Sequence, residues 1–138
     1  MTEIVDLIKI GNNSLLKEKL KDSPSLADGV TEQGISFLQF SAYCRNQEAI
    51  ALFRSYRKDI DIFEAASIGE KEALLRILKN NPDQIKTFSI DCFTPLGLAS
   101  FFGHIVLVKM LLDKGANPNI AAKQFNVTPL HSACAVSN

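Results

Sequence analysis

The 138-residue chain is 46% apolar and balances 15 basic against 15 acidic side chains, enough for one compact unit and too short for two ordinary domains with separate cores. Neither half is charge-biased, which argues against nucleic acid or an anionic membrane as the partner. Glu3, Asp6 and Lys9 interrupt the N-terminal apolar segment, unlike a secretory signal, and the longest apolar run, Ile105 to Leu112, contains Lys109 and is too short to cross a bilayer, so a soluble cytoplasmic protein is expected.

Taken in chain order, the elements repeat. VDLIKIGNNSLLKEKLKDSPSL (Val5 to Leu26) aligns 58 residues later with FEAASIGEKEALLRILKNNPDQ (Phe63 to Gln84), matching Ile10 with Ile68, Gly11 with Gly69, Leu16 with Leu74, Leu20 with Leu78 and Pro24 with Pro82. The same offset carries Gly34 to Phe53 onto Cys92 to Leu111, so each block holds two related helix pairs. Inside a block the step is 34 residues, seen from Gly69 to Gly103 and from Thr94-Pro95-Leu96 to Thr128-Pro129-Leu130. Between the second and third units it is only 24, because Arg54 to Asp59 replaces a long Gly-bearing turn. A notch is expected near Tyr56.

Local chemistry supports two short helices per unit. Thr94 can cap a helix that opens on Pro95, whose missing N–H costs nothing there. Leu96, Leu98 and Ala99 give an apolar stripe, Gly103-His104 a turn into a second helix, and Gly115 a left-handed stop. Asp61 with Glu64 three residues on forms a capping-box pattern. The expected units lie near 2–30, 34–59, 60–91, 92–125 and, in part, 126–138, within a single domain. Cys44, Cys92 and Cys134 form no Cys-x-x-Cys pair and read as small buried hydrophobes.

The run Cys92-Phe-Thr-Pro-Leu-Gly-Leu-Ala-Ser-Phe-Phe-Gly-His-Ile-Val-Leu-Val-Lys-Met-Leu-Leu-Asp-Lys-Gly-Ala-Asn-Pro-Asn119 resembles a complete ankyrin repeat, and Asn126-Val-Thr-Pro-Leu-His-Ser-Ala133 opens another. The earlier units fit less closely. The whole is similar to small bacterial cytoplasmic ankyrin proteins, which implies an all-α solenoid of about four and a half stacked helix-turn-helix units. Gly97 departs from the family by standing where its Thr-Pro-Leu-His motif has histidine. The chain ends within the first helix of the fifth unit, so a longer native product is expected.

No catalytic motif accompanies these repeats. His104 and His131 occupy structural turn and helix-start positions, and Glu70 and Glu72 complement a helix dipole, so no enzyme activity, cofactor or metal is expected. The lysines of the first unit read as a wet terminal face. The resemblance implies binding through turn tips and first-helix ends. Carried over by position, it selects Asp91, Phe93, Phe101 and Phe102 in the fourth unit, Gln33, Ile35, Tyr43 and Cys44 in the second, and Phe125 in the fifth. These would line a concave face with unusually aromatic content. The expected role is a non-enzymatic protein–protein interaction module, an adaptor, scaffold or inhibitor, acting as a monomer unless its C-terminal end pairs. The alternatives are an N-terminal capping segment of a longer solenoid and, ranked last, a small-molecule or enzymatic role at the notch.

Overall fold

A computed structural model describes residues 2–90 and 92–118, and the regular elements among them are helical, with one isolated bridge between Val30 and Ser36. They divide into two compact units, Met1–Asp59 and Ile60–Asn138. The first holds α1 (Thr2–Ile10), α2 (Asn13–Asp22), α3 (Phe37–Tyr43) and α4 (Gln47–Tyr56). The second holds α5 (Ile62–Ile68), α6 (Lys71–Asn80), α7 (Pro95–Phe101) and α8 (Ile105–Asp113). Short 3-10 turns, Pro24–Asp28 and Pro82–Lys86, follow α2 and α6, each opening on proline.

Helices of seven to ten residues are marginal alone, so caps and packing must hold them. The side chains of Ser36, Asp61 and Thr94 accept backbone N–H groups at the starts of α3, α5 and α7, and Asp61 and Glu64 complete a reciprocal capping box. Asn12 and Asn46 cap α2 and α4 in the same way. Consecutive helices pack as pairs, and α1 meets α3, α2 meets α4 and α5 meets α7 within their units. In the first unit Ile8, Leu16, Leu20, Leu38 and Phe53 are buried, with the rings of Phe37 and Phe53 5.9 Å apart. Ile62, Leu74, Leu98 and Leu111 are buried in the second.

The pairs are tied through one repeated position. Asn46, the cap of α4, donates from Nδ2 to the carbonyl of Ile8 and to Oδ1 of Asn13, whose own Nδ2 donates back to Asn46 Oδ1. His104 stands 58 residues later at the start of α8, with Nε2 2.8 Å from the carbonyl oxygen of Ser67. Each thus reaches back from one helix pair to a carbonyl near the end of the preceding pair's first helix.

Besides Gly11 and Gly69, two further equivalent corners in each block have a left-handed backbone. Gly34 (φ 87°) and Cys92 (φ 70°) share one corner 58 residues apart, and Arg45 (φ 56°) and Gly103 (φ 76°) share the other. At each of these two corners glycine stands in one block and a non-glycine residue in the other. The third helix pair differs: α5 ends directly on left-handed Gly69, so its two caps lie one residue closer together than those of the second and fourth pairs. The sulfurs of Cys44 and Cys92 were expected to be buried, yet both residues are only half-buried, because they sit at a helix end and a turn rather than within a helix. Cys134 and His131 lie outside the described residues.

Candidate functional site

Among the described residues, the turns that precede α3 and α7 are built alike. In the first, Thr31 donates its N–H to the carbonyl of Ile35, Ile35 donates to Thr31 Oγ1, and Gly34 donates to the carbonyl of Thr31. In the second, Ser89 donates to the carbonyl of Phe93, Phe93 donates to Ser89 Oγ, and Cys92 donates to the carbonyl of Ser89. A hydroxyl residue must therefore point inward at positions 31 and 89, and its neighbours on either side point outward. At the second turn those neighbours are Phe88, 55% exposed, and Ile90, 62% exposed. At the first they are Val30 and Glu32, both exposed but less apolar.

Behind the second turn runs a chain of rings. Phe93 and Phe101 have centroids 5.8 Å apart, Phe101 and Phe102 meet edge to face at 5.0 Å, and Phe102 stacks at 6.4 Å on His104. Phe101 and Phe102 close α7 and are half-buried. His104 is held by Ser67, so the whole ladder is anchored at both ends. Preordered rings of this kind lose little side-chain freedom on contact, and fully covering an exposed Phe or Ile contributes about 1.5–3 kcal/mol.

A description of ankyrin repeats in three copies matches residues 62–138, from the start of α5 onward and over more than half of the sequence. The chain belongs to the ankyrin-repeat family. Ankyrin repeats are generally protein–protein interaction modules. The chain is also similar to alpha-latrocrustotoxin-Lt1a of Latrodectus tredecimguttatus, with 31% identity over 80 residues. That match takes in 58% of this chain and 6% of the toxin, so the chain spans a small fraction of the toxin's length.

The ankyrin positions selected from sequence separate into three groups. Phe93 is 2% exposed, and Ile35 and Tyr43 are also buried, which corrects the expectation that they offer surface. The cause lies in the turn: residues 35 and 93 return both backbone hydrogen bonds to positions 31 and 89, which carries their side chains inward. Gln33 is exposed, and Cys44, Phe101 and Phe102 are half-buried. Asp91 and Phe125 fall outside the described residues. Burial raises the Cys44 thiol above its ordinary pKa, and the nearby Lys9 ammonium partly opposes that. Phe88 and Ile90 were not among the selected residues. Their signal is the out-in-out pattern Phe88-Ser89-Ile90, with a small hydroxyl residue between two large apolar ones.

Among the described residues no three His, Cys, Asp or Glu side chains cluster closely enough to hold a metal ion, and no helix is long and apolar enough to cross a membrane.

Proposed function

We propose that this chain is a non-enzymatic protein-binding module whose second unit carries the contact face, with Phe88 and Ile90 at the turn tip and Phe101 and Phe102 at the end of α7. The reading rests on one observation: two large apolar side chains are more than half exposed on a turn closed by hydrogen bonds of Ser89 with Phe93 and Cys92. A turn closed at its base that presents uncovered apolar groups meets the requirements of an interface anchor, because its hydrogen bonds reduce the ordering entropy lost on binding. Phe93 supports the face from behind through Phe101. The partner is another protein, met in the cytoplasm by a monomeric adaptor, scaffold or inhibitor, and no cofactor is required.

The test is affinity capture by the intact protein from cytosol of its source, beside a Phe88→Ser, Ile90→Ser, Phe102→Ala variant with unchanged helical circular dichroism. A partner lost only by the variant supports the face; a partner held equally by both removes it.

A second reading, a segment within a longer repeat array, has one observation of its own. Leu112 is 41% exposed, whereas Leu20 and Leu78, at the same step along α2 and α6, are buried. Leu112→Ser then leaves stability unchanged in this chain and lowers it in any longer product that covers the position.

A further inference from the structure

The second unit carries another surface whose chemistry its packing does not require. An open groove is lined by α6 and α8, with Leu75, Val106 and Met110 supplying apolar area and Lys71, Lys109 and Lys114 supplying charge. Asp113 is its single acidic residue. None of the three lysine side chains makes a hydrogen bond or ion pair among the described residues. The first unit has the corresponding groove between α2 and α4, and there Lys17 and Glu48 share a lining with Asn13, Ser14 and Ser55, with only Ala51 and Leu52 apolar. Asn13 also donates to Glu48. A polar, charge-balanced groove is therefore compatible with this helix arrangement.

The opening of α8 is equally unlike its counterparts. Gln47-Glu48 begins α4 and Lys71-Glu72 begins α6, polar pairs suited to water and, through the glutamates, to a helix dipole. In α8 the pair is Ile105-Val106, 66% and 58% exposed. An uncovered β-branched pair beside unpaired lysines defines a surface that lacks an apolar and anionic complement.

We propose that the α6–α8 groove docks an acidic amphipathic helix of a protein partner, its apolar ridge against Leu75, Val106 and Met110 and its flanking carboxylates against Lys71, Lys109 and Lys114. A ridge of side chains at helical spacing fits a groove between two helices, and carboxylates on both flanks set orientation and speed encounter. This surface differs from the turn-tip face and stands or falls separately from it.

The test uses the intact chain and a fluorescent synthetic peptide of about sixteen residues, leucines at alternating third and fourth positions and glutamates elsewhere, followed by anisotropy. Binding is expected, weakening as salt is raised, and about tenfold weaker after combined Lys71→Glu, Lys109→Glu and Lys114→Glu substitution. Val106→Asp should weaken it similarly; if that variant loses helical signal, the lysine reversal decides alone. Equal binding of a scrambled peptide with no apolar face would overturn the proposal, as would undiminished binding by the lysine variant. Association with equimolar phosphatidylserine–phosphatidylcholine vesicles but not with the peptide would assign the groove to a membrane and also overturn it.

Discussion

His104 closes directly over Gly69: a Cβ built on Gly69 would lie 2.7 Å from Nδ1 of the imidazole, while Nε2 of the same ring lies 2.8 Å from the carbonyl oxygen of Ser67. The glycine is needed twice, for its left-handed φ of 82° and for the space its missing side chain leaves. Gly69→Ala should therefore lower stability by about 2–4 kcal/mol, combining backbone strain with displacement of the ring. Chemical denaturation of Gly69→Ala, His104→Ala and the double variant separates these parts. The double variant should recover the steric share and keep the backbone share.

Asn46 has more partners than His104 at the equivalent place. Its Oδ1 accepts from Ala49 N–H and Asn13 Nδ2, and its Nδ2 donates to Ile8 and Asn13. Asn46→Ala should cost about 2–3 kcal/mol, a cap plus inter-pair bonds. Asn46→Asp keeps the cap but loses both donors, and should fall between the wild type and Asn46→Ala in a urea melt.

The paired left-handed corners give opposite signs for substitutions to and from glycine. Arg45→Gly and Cys92→Gly should each stabilise by about 0.5–1 kcal/mol, since glycine adopts φ above zero without steric cost. Gly34→Ala and Gly103→Ala should destabilise by at least a similar amount. Thermal melts of the four single variants check the pattern.

Phe93 and Phe88 should separate stability from surface. Phe93→Ala removes a buried ring and should cost about 3–5 kcal/mol, whereas Phe88→Ala should stay within about 0.5 kcal/mol of wild type. Equal losses at both positions would mean that Phe88 is part of the core.

The helices and caps were readable because their chemistry is local. Thr94-Pro95, the Asp61–Glu64 box and Gly115 each act within a few residues, and the 58-residue alignment placed equivalent helices without three-dimensional information. The turn-tip face was less readable. Phe93 and Ile35 carry family-matched positions, but their burial depends on hydrogen bonds back to Ser89 and Thr31, which periodicity does not encode. The same bonds turn Phe88 and Ile90 outward. Apolar content identified the right stretch, while the backbone pairing decided which side chains face water. The one-residue shorter turn at Gly69 was hidden for a related reason, since α5 is as long as α3 and α7 and its stripe of apolar residues does not mark where the turn begins.

The ties made by Asn46 and His104 also bear on how the chain acquires its structure. Among the described residues they reach back 38 and 37 positions, and the reciprocal Asn13–Asn46 pair spans 33. The entropy cost of closing a loop rises only slowly with its length. Synthesis runs from the N-terminus, so once Arg57 has emerged to pair with Asp28, every helix of the first unit and both asparagines of its tie are already available. The first block can thus reach its native packing while the aromatic ladder from Phe93 to His104 is still being translated, which shortens the time that its apolar surface stands exposed to other nascent chains.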